Sequence, residues 1–210
     1  MSVIAVLGAG RVASGLALKL ASAGHELIIG HRGSATPRWI TESIHHRSIA
    51  DAARDADIII NATPGESSLE RLSALRTELA GKILIDVSNA VERGTANMPG
   101  TLTYPNSSLA EKLQDALPHT RVIKTLNTML FTVMTSPDSL RIPATVFLSG
   151  NDDAAKATVR QLLGDLGWSD DVILDLGNIH TARGPEAMIL FVPDLIRARG
   201  LKPFAITVAS

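Results

Sequence analysis

The stretch Val3-Ile-Ala-Val-Leu-Gly-Ala-Gly-Arg-Val-Ala13 decides the fold. Val3–Leu7 is a short, unbroken apolar run, the pattern of a parallel strand buried on both faces. Beyond it, Val12, Leu16 and Leu20 recur at every fourth position with Arg11 and Lys19 off that stripe, so a helix begins directly after the glycines. Strand, glycine turn and helix form the context in which a dinucleotide fingerprint has physical meaning. Gly8 allows the tight turn, and Gly10 lets backbone approach a pyrophosphate across Ala9. Ala13 stands where a third glycine often allows close helix–strand packing. The amides of Arg11 and Val12 then point at an anion from the positive end of the helix dipole.

The same alternation continues outward. Glu26–Ile29, Asp57–Asn61, Lys82–Val87 and Arg121–Thr125 read as further buried strands. Leu69, Leu72, Leu75 and Leu79 mark one intervening helix. Leu109, Leu113 and Leu117 mark another, opened by the capping box Ser108-x-x-Glu111. After Thr128 the texture changes. Ala144–Ser149 and Val172–Leu174 read as strands, Asp152–Leu166 as a helix stopped by Gly167, and Gly184–Arg199 as a helix that Pro193 kinks or splits. Met188–Val192 is apolar on all sides and is expected to be buried, in the core or against a second subunit. The expectation is an α/β, Rossmann-type doubly wound parallel sheet with a small C-terminal α/β extension. Residues 1–128 form the nucleotide-binding domain, and residues 129–210 a smaller part that completes an acceptor site and offers a dimer interface.

The end of the second strand selects the nucleotide. An acid some twenty residues past the fingerprint would take the ribose 2′-hydroxyl of NAD. Here Arg32 stands 22 residues beyond Gly10, and no acid lies between Leu27 and Ala35. Arg32 can pair with a 2′-phosphate, His31 can flank it, and Ser34 can add a hydroxyl, so NADP(H) is expected. Ligands sit outside the carboxyl ends of parallel strands. Ala62, Thr63 and Pro64 are placed to line the adenosine side, and Asn89 to reach the nicotinamide half. Ordinary turn chemistry accounts for these four residues equally well.

Composition excludes several classes. The chain has 210 residues, a formal charge of −1 and no cysteine. Disulfides, iron–sulfur clusters and cysteine nucleophiles are therefore absent, and nothing draws the chain to nucleic acid. No apolar run reaches the ~20 residues of a membrane span, and no leader peptide is evident, so the expectation is a cytoplasmic protein. His45-His46 reads as a solvated loop pair and not as a metal site, and His25 and His119 as surface turn residues. Tyr104 is the one tyrosine, with Ser108 four residues on, so no Tyr-x-x-x-Lys is present.

Gly8–Arg32, with Gly24-His25-Glu26 before the second strand, resembles the coenzyme F-420-dependent NADP reductase family. Ser107-Ser-Leu-Ala-Glu111, Val122-Ile-Lys-Thr-Leu-Asn-Thr128 and Ala182-Arg-Gly-Pro-Glu-Ala-Met188 are similar to later landmarks of that family. The chain departs from it at Ala9, at Leu126, in the Glu92–Thr103 loop and at Pro193. The resemblance implies hydride transfer between NADPH and a deazaflavin or flavin-like acceptor, and frequently a homodimer. Such a transfer needs positioned rings and little acid–base help, so no residue is assigned proton transfer. Asn89, Asn127, Thr128 and Met129 are expected to border the ring pocket, and His180 to touch the acceptor. Two other readings stand beside this one: reduction of free flavin or a ferric chelate, and an NADP(H)-binding sensor without turnover.

Overall fold

The computed structural model describes residues 2–33, 38–41, 44–95 and 98–209. Its core is an eight-stranded sheet in the order β3-β2-β1-β4-β5-β8-β9-β10. The strands are β1 (Val3–Leu7), β2 (Glu26–Gly30), β3 (Ile44–Arg47), β4 (Ile58–Asn61), β5 (Ile83–Asp86), β8 (Arg121–Thr125), β9 (Val146–Gly150) and β10 (Ile173–Gly177). All neighbours run parallel except β8 and β9, which pair antiparallel. A separate antiparallel ribbon joins β6 (Val91–Arg93) and β7 (Pro99–Leu102).

The period of two along β1 sorts its side chains into two cores. Ile4 and Val6 pack with Ala13, Leu16 and Leu20 of α1 (Arg11–Ser22) and with Val159, Leu162 and Leu163 of α6 (Asp153–Asp165). Ala5 and Leu7 face the opposite layer, with Ala52 and Ala53 of α2 (Ile49–Asp55), Leu72 of α3 (Gly65–Ser73), Leu79 of α4 (Arg76–Leu79) and Leu109 and Leu113 of α5 (Leu109–Ala116). Each fully buried Leu contributes roughly 2 kcal/mol of transfer free energy. The chain leaves β1 toward β2 and β3, then returns to β4 on the other side. The point between β1 and β4 is therefore a topological switch, where parallel sheets open a crevice.

Several local features differ from the sequence reading. His45 and His46 lie on β3, an edge strand whose one buried residue is Ile44, and not in a loop. The helix expected across Leu69–Leu79 breaks into α3 and α4 at Ala74–Leu75. His25 is no simple turn residue, since its ring is largely covered and Nε2 lies 2.9 Å from Asp165. Pro193 does not kink a continuous helix, but the segment over Gly184–Arg199 is split ahead of it, as one arm of the expectation had it. After α7 (Arg183–Ala187) and a 3-10 turn at Met188–Phe191, Pro193 sits in the first turn of α8 (Val192–Arg199), where a missing N–H is harmless. No residue of Met188–Arg199 is buried within this chain. No helix among the described residues is long and apolar enough to cross a membrane.

Candidate active site

A cavity of about 680 Å³ opens at the carboxyl ends of β1, β2, β4, β5 and β8, a size ordinary for a small-molecule site. The glycine loop forms its floor. Gly8 has φ +123°, and a Cβ there would stand 2.7 Å from the Ala62 carbonyl oxygen, so the loop after β4 is packed against a bare backbone. At Gly10 a Cβ would meet nothing within 4 Å, leaving open space above the main chain. Gly10 caps α1 without a side-chain bond, and the first turn of α1 holds no acid. The helix thus opens with unsatisfied amides, as an anion site requires. Trp39 folds back over this loop and donates its indole N–H to the Ala9 carbonyl at 3.3 Å.

Of the residues singled out in the sequence, Gly8, Ala9, Gly10, Val12, His31, Arg32, Ala62, Thr63, Pro64, Asn89, Asn127, Thr128 and Met129 line this one cavity. Arg32 is exposed at its edge, whereas His31 is buried. The Gly33 amide donates to His31 Nδ1 at 3.1 Å, and Nε2 has no hydrogen-bond partner among the described residues. Arg11 contributes backbone to the helix start, while its guanidinium lies over the Phe131 ring at 4.7 Å. His180 lies outside the cavity. Its Nδ1 is 3.1 Å from Glu111, within a cluster where Arg183 also grips Glu111 at 2.8 Å. Burial works to raise the Glu111 carboxyl, but hydrogen bonds from Arg183 and Ser108 overcome it and hold the group at about 2. Ser34 lies outside the described residues.

Asn89 and Asn127 face each other across the site. Asn89 Nδ2 donates to the Asn127 carbonyl, and Asn127 Nδ2 donates to Asn89 Oδ1, both at 3.0 Å. Asn127 Oδ1 is buried and has no hydrogen-bond partner among the described residues. Just before it Leu126 adopts φ 61°, a left-handed backbone that a branched, buried side chain tolerates only under constraint. Gly65, at the start of α3, lies so close to this loop that a Cβ would stand 2.1 Å from the Asn89 carbonyl oxygen.

Three groups of lining residues escaped the sequence reading. Arg71 and Arg93 join Arg32 in the wall, with Arg93 lying 3.9 Å from Glu66. Leu130, Phe131 and Met134 follow the end of β8, and Met188, Ile189, Val192, Leu195, Phe204 and Ile206 come from the C-terminal segment. The tail reaches the site by pairing, with Leu130 N–H donating to Phe204 O at 2.9 Å and Ile206 N–H to Thr128 O at 3.1 Å. The run Leu126-Asn-Thr-Met-Leu-Phe131 was the available signal for the first of these. The pairing across more than seventy residues left none.

An NADP(H) molecule fits this arrangement. Bare backbone at Gly10 leaves room for a pyrophosphate, the α1 amides supply donors, and the unpartnered Asn127 Oδ1 can accept from a carboxamide.

Comparison with known proteins agrees. Residues 3–90 match the family described as "NADP oxidoreductase coenzyme F420-dependent". A crystal structure of a candidate F420-dependent NADP-reductase from Arthrobacter sp. FB24 superposes with a TM-score of 0.92 at 39% identity, over 100% of both chains. The chain belongs to the coenzyme F420-dependent NADP oxidoreductase family. It is also similar to the F420-dependent NADP reductase of Methanocaldococcus jannaschii, 29% identical over 88% of each chain. The rat Metalloreductase STEAP3 is 28% identical over 89% of this chain but 36% of its own length. Members of this family are NADP-dependent oxidoreductases, and this chain is one. An NADP-bound pyrroline carboxylate reductase from Plasmodium falciparum, at 17% identity and a TM-score of 0.58, shares the fold.

Proposed function

We propose that this enzyme transfers a hydride between NADPH and a deazaflavin of the coenzyme F-420 type. One observation carries the reading: a single cavity joins the phosphate-binding loop to an apolar bay. Met129, Leu130, Phe131, Met134, Met188, Ile189, Val192, Leu195, Phe204 and Ile206 line that bay, and none of them is titratable. When bound, NADPH supplies a two-electron hydride donor. The chain's own residues bind, orient and exclude water. Gly8–Val12 hold the pyrophosphate, Arg32 pairs with the 2′-phosphate beside His31, and Ala62, Thr63 and Pro64 border the adenosine. Asn89 and Asn127 hold the nicotinamide end. A flat apolar ring enters the bay and takes the hydride, and its balancing proton comes from solvent at the open mouth, since no acid stands among the described lining residues of the bay.

In this reading residues 1–128 hold the nucleotide and residues 129–210 complete the acceptor side. The enzyme works in the cytoplasm. Leu190, Phe191 and Leu201, all exposed in the single chain, meet a second copy in a homodimer, which a sedimentation mass of one chain would contradict. His180, which lies outside the cavity, reaches only a polar arm of the acceptor that extends beyond it. The likeness to a metalloreductase favours a ferric chelate as the second reading.

The test is NADPH oxidation by the purified protein with oxidised coenzyme F-420, flavin mononucleotide or ferric citrate as acceptor. Turnover with F-420 at least tenfold above the other two is expected. Ferric citrate as the preferred acceptor would replace the first reading with the second. NADPH binding without turnover on any acceptor would make the chain a sensor.

A further inference from the structure

A polar cluster lies beneath the cavity wall. Lys124 is fully buried on β8, and its ammonium meets three acceptors: Asp86 Oδ2 at 2.7 Å, Glu186 Oε1 at 2.9 Å and the main-chain carbonyl of Ser88. Its three donors are therefore all used. Glu186 is held in turn by the amides of Leu109 and Ala110 at the start of α5, at 2.8 and 3.1 Å. The other oxygen of Asp86 accepts from the Ser88 hydroxyl at 2.7 Å, from the Ser88 amide at 3.3 Å and from Asn61 Nδ2 at 2.9 Å. Burial works to lower the lysine pKa, but the two carboxylates outweigh it and raise it. The group stays charged, with its N–H bonds directed at the three acceptors.

A strand interior does not need this charge for packing, since an apolar residue of the same volume avoids the desolvation cost altogether. What the ammonium does is local. It grips the Ser88 carbonyl while Asp86 grips the amide and hydroxyl of the same residue. Ser88 is thus fixed from both sides, and the next residue is Asn89, which exchanges two hydrogen bonds with Asn127. Ser88, Asn89 and Asn127 line the cavity, and Lys124 does not.

We infer that Lys124 is a positioning residue for the nicotinamide half of the site: by holding the Ser88 carbonyl, it aligns the Asn89–Asn127 pair that receives the carboxamide. The inference rests on the nucleotide pose proposed above. The adenosine half, at Gly8–Gly10 and Arg32, is built from other segments, and its link to the cluster is indirect: Asn61 donates to Asp86 on one side and accepts from the Thr63 amide on the other, with no contact to Lys124.

Lys124→Met, measured by calorimetry with NADPH and with adenosine 2′,5′-bisphosphate, separates the two halves. The fragment carries the 2′-phosphate but no nicotinamide. The expected result is fragment affinity within about twofold of wild type and NADPH affinity lowered about tenfold, the equivalent of one good hydrogen bond. Asn89→Ala should produce the same pattern, and Lys124→Met added to Asn89→Ala should lower NADPH affinity no further. Lys124→Met together with Glu186→Gln leaves the buried net charge unchanged and replaces the single variant if that does not fold. Equal losses for NADPH and the fragment would overturn the inference, as would unchanged affinity for both or failure of both variants to fold, because the cluster would then be structural only. Wild-type protein that binds neither compound would instead sink the nucleotide reading itself.

Discussion

The two halves of the cavity are made in different ways. The phosphate half is backbone: two glycines, a helix start and a strand end, contributed by residues 8–12 and 31–33 and by the loop after β4. The apolar half, the proposed acceptor side, is side chain: Phe131, Met134, Ile189, Val192, Leu195 and Phe204, drawn from three separated segments. Backbone geometry leaves little freedom for substitution, because a single added methyl meets a carbonyl. Apolar side chains tolerate exchange at similar volume. In this chain the glycine-lined half is therefore the less tolerant of substitution, and the apolar half the more tolerant.

The strictest consequence falls on the glycines. At Gly65→Ala the new methyl would stand 2.1 Å from the Asn89 carbonyl, and at Gly8→Ala 2.7 Å from that of Ala62. Each should lower stability by about 2–4 kcal/mol and NADPH affinity on the order of a hundredfold, read by denaturant midpoint and calorimetry. Wild-type affinity in Gly65→Ala would break the claim that the two loops are locked together. Next in size, Arg32→Asp puts a repelling charge where the proposed nucleotide pose sets the 2′-phosphate. It should shift the NADPH-to-NADH affinity ratio about a hundredfold toward NADH, and an unmoved ratio would remove Arg32 from the 2′-phosphate.

The acceptor half should respond more gently and more selectively. Phe131→Ala removes an aromatic wall and the Arg11 contact above it. The acceptor KM should rise about tenfold while NADPH affinity stays within about twofold. A loss of NADPH affinity as large as the KM effect would erase the distinction between the halves.

The smallest effect is on acid stability. The folded-state pKa of Glu111 lies at about 2, below its ordinary value of 4.5. Its contribution is thus complete above about 4.5 and disappears as pH falls through about 2. Because Arg183 is partly exposed, that contribution is roughly 1–2 kcal/mol after screening. In Glu111→Gln the stability gap from wild type should be largest at pH 5 and close toward pH 2, as denaturant titration would show. A gap independent of pH would mean that the ion pair contributes nothing.

Legibility in the sequence followed the same division. The strand–glycine–helix run and the Arg32 strand end are contiguous, so their chemistry is written locally. Ile44–Arg47 was missed because an edge strand with one buried residue shows no alternation. Helix α2 is built on alanines and lacks a strong apolar stripe, though Ser48 accepting from the Asp51 amide at 3.2 Å is a cap visible in the residues. The β6–β7 ribbon is short, polar and outside the main sheet. Lys124 resembles an ordinary charge near a strand end, and only folding brings it to Asp86, 38 residues away, and to Glu186. The tail at Phe204–Ile206 has no local pattern, since it becomes a wall only by pairing with Thr128–Leu130.

The central claim is direct transfer within one cavity. It is tested most directly with NADPH carrying deuterium at the transferable position on C4 and oxidised coenzyme F-420, in a single turnover analysed by mass spectrometry. The account predicts that the deuterium arrives on the ring carbon of the reduced deazaflavin, undiluted by solvent protons. Label lost to water, or label remaining on NADPH that is tightly bound but never oxidised, would contradict it.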